Sequence, residues 1–310
     1  MPSPFLAGLI DYAGLFPPAG LPLADAAANY LRYLAGPDAW MLGRFVCPAG
    51  QIAALDALLP AEAPVRLAVL PTGGPDAEAF FATFEADLAA SRAFQDLRGP
   101  HAGVDLLEIR LPDALLDPFE PGDILRFLER LPRHVDDAGL AVERLFIEGP
   151  VLDPDDPRTG LLVGLLHDAG AGRFGFKIRT GGLHVDDFPA PDALAEAIVA
   201  CRDAGVPLKA TAGLHHPVRS HRAEVGGAMH GFLNVFGAGV LAHARGLDRE
   251  TLAALLSDTD PTHFTLSDAG FAWSGYHATP TEITHARSFA TSFGSCSFDE
   301  PREELAGLGL

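Results

Sequence analysis

Residues 174–179 read FGFKIR and residues 206–211 read VPLKAT. Each is a short apolar run with one lysine at its centre. Side chains alternate across a strand, so Gly175, Lys177 and Arg179 share one face while Phe174, Phe176 and Ile178 share the other. The aromatic face should meet helices, which leaves the lysine face for a sheet interior. In the second run Lys209 and Thr211 oppose Leu208 and Ala210 by the same alternation.

Working outward, five further runs of strand length precede these two: Phe5–Asp11, Trp40–Cys47, Val65–Leu70, Val104–Leu111 and Arg144–Glu148. Amphipathic stretches of helix length separate them. Regular alternation implies right-handed βαβ units and a parallel sheet. Seven such units favour a closed (β/α)8 TIM barrel, an α/β fold, over an open sheet. The eighth strand is expected near Phe232–Phe236 or near Phe264–Trp273. No linker-like segment divides the chain. The expected organisation is a single barrel domain over residues 1–275 with a C-terminal tail, 276–310, packed on it.

Composition narrows the function. Of 22 basic residues among 310, two are lysines and 20 are arginines. Arginine has replaced lysine almost everywhere, yet Lys177 and Lys209 remain, both in strand-like contexts. An amine loses its proton on burial and forms Schiff bases, which a guanidinium does not. The net charge of −19 argues against nucleic acid and anionic membranes as partners. The three cysteines, Cys47, Cys201 and Cys296, form neither a disulfide framework nor a zinc spacing, which fits a reducing cytoplasm. The uncharged stretch Val225–Ala244 carries glycines, histidines and Asn234, and reads as a buried helix rather than a membrane span.

Parity on the remaining strands sets Glu108 and Arg110 against Leu107 and Ile109, and Glu148 against Leu145 and Ile147. Cys47 falls with Gly43 and Phe45, and Asp11 ends the first run. In a barrel these groups gather near the C-terminal strand ends, where barrel active sites form. Asp11, Cys47, Glu108, Arg110, Glu148, Lys177, Arg179 and Lys209 are then expected to line one cavity. Burying so many charges costs several kcal/mol each unless they pair, so a plugging ion network is the alternative use for them.

Several segments resemble the deoxyribose-phosphate aldolase family of class I (Schiff-base) aldolases. LIDYAGLFPPAGLPLADAAANY resembles that family's first strand and the helix start after it, and FVCPAG its second strand. VDLLEIRLP, LFIEGPVL, FGFKIRTGG and VPLKATAGL follow in the family's order, over about residues 5–214. The resemblance implies a TIM barrel in which Lys177 forms the imine and Lys209 lowers its pKa by like-charge repulsion. Glu108 takes the place of the acidic proton-relay residue, with Asp11 and Glu148 positioning the relay or holding water. No cofactor is implied beyond the Lys177 imine. The chain departs from the family after Lys209, where LHHPVRSHRAEVGGAMHGFLNVFGAG replaces the phosphate-binding region. The TAGLHHPVR and SFGSCSFDEP segments also resemble an uncharacterised group of bacterial barrel proteins, which implies the fold and no activity.

Arg179 and Arg110 have no family counterpart and suggest a small anionic substrate. Thr180, Gly181, Thr211 and Cys47 are expected to contact it, with Thr180-Gly181-Gly182 offering backbone N–H groups to an anion. His215 and His216 follow the seventh strand and are expected at the site as substrate contacts. A metal-dependent lyase or isomerase using Glu148, His215 and His216 with a divalent ion is the alternative. A non-catalytic metabolite-binding barrel is the third reading. The FDEPREEL tail is read as a surface or homodimer contact.

Overall fold

The computed structural model describes residues 3–170, 172–223 and 225–309. Its strands are β1 Ile10–Tyr12, β2 Leu42–Pro48, β3 Arg66–Leu70, β4 Gly103–Arg110, β5 Arg144–Glu148, β6 Phe174–Arg179 and β7 Leu208–Thr211. There follow β8 Ser220–Arg222, β9 Gly227–Met229, β10 Phe264–Ser267, β11 Gly270–Trp273, β12 Tyr276–Ala278 and β13 Ala290–Ser295. The helices are α1 Leu23–Leu34, α2 Ile52–Leu58, α3 Ala77–Arg98, α4 Asp113–Leu116, α5 Pro121–Asp137 and α6 Arg158–Gly170. They continue with α7 Pro191–Asp203, α8 Phe232–Arg245, α9 Arg249–Ser257, α10 Pro280–Ala286 and α11 Asp299–Gly307. Eight strands close a parallel barrel in the order β1-β13-β7-β6-β5-β4-β3-β2, with helices between them. The fold is a (β/α)8 barrel.

The eighth barrel strand is β13, which corrects both positions expected for it. Phe232–Phe236 lies in α8, whose residues from Phe232 to Ala242 are all buried. Phe264–Trp273 pairs antiparallel in a small three-stranded sheet outside the barrel. Residues 276–310 are therefore not a tail on a finished barrel: they supply β13, parallel to both β1 and β7. The reason is packing. β13 reads ATSFGS, and Ser292 is buried against Asp11 and Lys209, so the inward face is small and polar where a strand signal is apolar. Phe293 faces outward against Phe232 and Phe236 of α8. Among the described residues, no helix is long and apolar enough to cross a membrane.

Side chains from the barrel strands fill the interior. At the N-terminal end Asp105 takes a 3.0 Å bond from Arg44 and a short one from Arg66, and Arg44 reaches Glu143 at 2.8 Å. Above it Val46, Ala68, Leu106 and Phe146 form an apolar cluster of their own. Gly175 makes room for Phe146: a Cβ there would lie 2.4 Å from the ring and 2.9 Å from the Pro207 carbonyl oxygen. Overpacking of this kind costs roughly 1–3 kcal/mol, so Gly175→Ala is expected to lower the urea-unfolding free energy by that amount. Unchanged stability would contradict the packing described.

Candidate active site

The barrel strands bring six charged side chains into a ladder. At its foot Asp11, fully buried, accepts a 2.6 Å bond from the Arg44 backbone N–H and a 2.7 Å bond from the Ser292 hydroxyl. Lys209 Nζ, also fully buried, pairs with Asp11 and donates to Ser292 Oγ at 3.1 Å. The next rung is Glu108, whose Oε1 is 3.3 Å from Lys209 Nζ and whose Oε2 is 2.8 Å from Lys177 Nζ. Lys177 also reaches Glu148 Oε2 at 2.9 Å, and Glu148 Oε1 reaches Arg179 Nη2 at 3.1 Å. Strand register imposes this order: Glu148 pairs with Lys177 across β5 and β6, and Lys177 with Lys209 across β6 and β7.

A cavity of about 570 Å³ opens above the ladder. Glu108, Glu148, Lys177, Arg179 and Arg110 form its charged side. Phe16, Pro17, Val46 and Leu70 form an apolar side, from β2, β3 and the loop after β1. Thr211, His215, Gly294 and Cys296 border it at the ends of β7 and β13.

Charges decide the protonation states. Burial opposes ionisation of Glu108, but Lys177 and then Lys209 pull its pKa down to about 2. Burial opposes Glu148 as well, and Lys177 with Arg179 holds it below the usual carboxylate range. Burial pushes the Lys177 ammonium down, yet Glu108 and Glu148 outweigh it and raise the pKa above the ordinary lysine value. This corrects the expectation that Lys209 lowers it: Glu108 stands between the two amines and compensates both. Lys177 therefore rests as an ammonium.

The depressed carboxylates make the fold acid-sensitive. Their folded pKa values lie below the unfolded ones, so the stability they add is present above about pH 5 and is lost as pH falls toward about 2. For Glu108 the linkage amounts to about 3 kcal/mol. Lys177, shifted upward, keeps its contribution throughout this window and loses it only in strong alkali. The urea midpoint is expected to drop between about pH 6 and pH 3, and less steeply in Glu108→Gln. Equal slopes would contradict the pairing.

Other expected site residues lie elsewhere. Asp11 and Lys209 sit beneath Glu108 and do not border the cavity. Cys47 shares its face with Phe45 and packs in the helix-side core, because Arg44 and Val46 take the inward positions of β2. Burial pushes its thiol up to about 12. Thr180 is fully buried, its hydroxyl donating to Thr211 O at 3.1 Å and Ala212 O at 2.5 Å, and so ties β6 to β7. Gly181 backs onto the Phe188 ring, and Gly182 borders the cavity instead. The Thr180 hydroxyl bond also holds Ala212 at φ 62°, a left-handed conformation costing about 1–3 kcal/mol for a residue with a Cβ.

The histidine pair is drawn to α11. His215 Nδ1 is 2.9 Å from Glu300 and His216 Nδ1 2.8 Å from Glu304. Glu148 belongs to Lys177 and Arg179, so the expected Glu148–His215–His216 metal set is not assembled. His216, Glu300 and Glu304 do bring donor atoms within 4.8 Å of one another, with the Arg222 guanidinium 3.4 Å from Glu304. His230 and Asn234 serve the loops: His230 Nε2 is 2.7 Å from Pro189 O, and Asn234 donates to Leu255 O and Asp258 O at 2.8 Å. Sequence reasoning missed Ser292 and the cavity contacts Phe16, Gly294 and Cys296. No strand signal marked the β13 residues, since ATSFGS is mostly small side chains. The Cys296 thiol, pushed up by burial, is not a ready nucleophile.

A solved structure described as "QR15, an Aldolase" aligns with 97 % of this chain and 96 % of its own, with TM-score 0.52 and 12 % identity. The shared feature is the barrel. No protein-family model matches the chain, and no curated protein matches it.

Proposed function

We propose that the protein is a class I, Schiff-base lyase of the aldolase type, with Lys177 as the imine-forming amine and a small anionic carbonyl compound as substrate. The observation that carries this reading is Lys177 itself: a buried amine at the floor of an open cavity, 2.8 and 2.9 Å from two carboxylates. Arginine supplies all the other positive side chains except Lys209.

The chemistry follows from the pairing. As a carbonyl carbon approaches, the ammonium passes a proton to a neighbouring carboxylate, and the freed amine attacks. Glu148 suits that task better than Glu108, because it lies nearer the cavity and faces one amine rather than two. The carbinolamine hydroxyl is protonated and leaves as water. The iminium then draws electrons from the bond between its α and β carbons while the β-hydroxyl gives its proton to a carboxylate, which leaves an enamine and an aldehyde; no metal or organic cofactor is invoked. Lys209, held by Asp11 and Ser292, is a positioning residue that keeps Glu108 ionised beneath the nucleophile.

Reduction with borohydride in the presence of short aldehydes and oxo acids tests the reading. Intact mass is expected to rise by one reduced adduct per chain, beyond any on the N-terminal amine. No such adduct with any carbonyl compound would overturn it.

A further inference from the structure

The site shows what it prefers to hold between Lys177 and Arg179, since a carboxylate already lies there. One Glu148 oxygen is 2.9 Å from Lys177 Nζ; the other is 3.1 and 3.2 Å from Arg179 Nη2 and Nε. The Arg179 side chain is 54 % exposed at the rim, whereas Glu148 is 13 % exposed. Arg110 stands beside Glu148 on the adjacent strand and pairs with the exposed Asp113 at 2.9 Å.

We propose that the imine-forming substrate is a 2-oxo acid whose carboxylate takes the place of Glu148 on Arg179. This rests on the reading of Lys177 as the nucleophile. In the imine of a 2-oxo acid, standard bond lengths put the nitrogen about 2.7–3.6 Å from a carboxylate oxygen. The single Glu148 carboxylate likewise bridges the two groups, with one oxygen 2.9 Å from Lys177 Nζ and the other 3.1 Å from Arg179 Nη2, so a carboxylate bonded to the imine carbon can reach Arg179 from Lys177. An acid group several carbons from the carbonyl overshoots that span. The carbon chain beyond the carbonyl then faces the apolar side formed by Phe16, Val46 and Leu70.

A second, independent observation disfavours a phosphorylated substrate. Barrels often hold phosphate at the loops after the seventh and eighth strands, beside the N-terminus of a short helix. Here that helix is α11, whose first turn carries Asp299 and Glu300. Its helix-dipole site is already occupied by negative charge, and Glu300 also faces His215. The guanidinium groups bordering the cavity come from β4 and β6, not from the loops after β7 and β13.

The exchange also frees the base. Once the substrate carboxylate holds Arg179, Glu148 keeps Lys177 as its partner and takes the ammonium proton. The Lys177 nitrogen bonds to the carbonyl carbon. The carbonyl oxygen leaves as water with the two protons lost from the ammonium, one of them carried by Glu148. The positive charge stays on the iminium, so atoms and charge balance.

Borohydride trapping with pyruvate, methyl pyruvate and glycolaldehyde phosphate tests this. The ester presents the same ketone without the charge. Pyruvate is expected to be trapped on Lys177 at least about 10-fold faster than methyl pyruvate. Arg179→Gln is expected to bring that ratio toward one, and Arg179→Lys to give an intermediate ratio, since a lysine keeps the charge and loses the fork. Equal or faster trapping of the ester or the phosphate compound on Lys177 would overturn the carboxylate receptor and leave the Schiff-base reading standing. A ratio unchanged in Arg179→Gln would also overturn it. No adduct with any of the three probes would overturn both.

Discussion

Lys177→Arg is expected to fold, to form no reducible adduct, and to lower turnover by roughly 10³-fold or more. Arginine preserves the positive charge that Glu108 and Glu148 face, so the ladder keeps its compensation. It removes the chemistry, because a guanidinium does not give up its proton in a protein. Lys177→Met separates the two roles from the other side. It leaves Glu148 with Arg179 and Glu108 with Lys209 alone, and so adds a stability loss to the loss of activity. Turnover and trapping retained in Lys177→Arg would remove Lys177 from the chemistry.

Asp11→Ala is expected to cost about 3–5 kcal/mol of unfolding free energy, a large part of what a typical domain has. Both Asp11 and Lys209 are fully buried, and the carboxylate also accepts from Ser292 and the Arg44 backbone. Removal leaves an ammonium deep in the barrel with Glu108 at 3.3 Å as its remaining charged partner. Asp11→Asn should cost less, since an amide oxygen still accepts two of those bonds. Urea unfolding measures both. A loss under about 1 kcal/mol for Asp11→Ala would show that the ladder does not depend on its foot.

The strands that carry the ladder were the most legible part of the sequence. β4 to β7 each alternate an apolar outward face with a charged inward one, so parity alone placed Glu108, Glu148, Lys177 and Lys209 inside. β13 escaped notice for the converse reason. Its inward positions, Ser292 and Gly294, had to be small beside Asp11, Lys209 and Thr211, and small residues carry no strand signal. The β8–β9 and β10–β12 insertions also postponed it beyond the interval that the other βα units keep.

Depth and partnership were less legible than facing. Parity gives a side of the sheet and not a height, so Asp11 and Lys209 were expected in the cavity that Glu108 closes off from them. On β2 Cys47 was expected on the inward face with Gly43 and Phe45. Arg44 decides against it: its bonds to Asp105 and Glu143 at the barrel's foot put Val46 inside and Cys47 against the helices. Both histidines follow β7, and His215 borders the cavity while His216 does not. Their carboxylate partners lie on α11, in a segment whose link to the barrel depended on the unrecognised β13.

The protein offers few amines to modify, which makes the decisive measurement clean. Peptide mapping after borohydride reduction with pyruvate locates the adduct among Lys177, Lys209 and the N-terminus. The account predicts it on Lys177, with Lys209 unmodified in its sealed position beneath Glu108. An adduct on Lys209, or on the N-terminal amine alone, would contradict it.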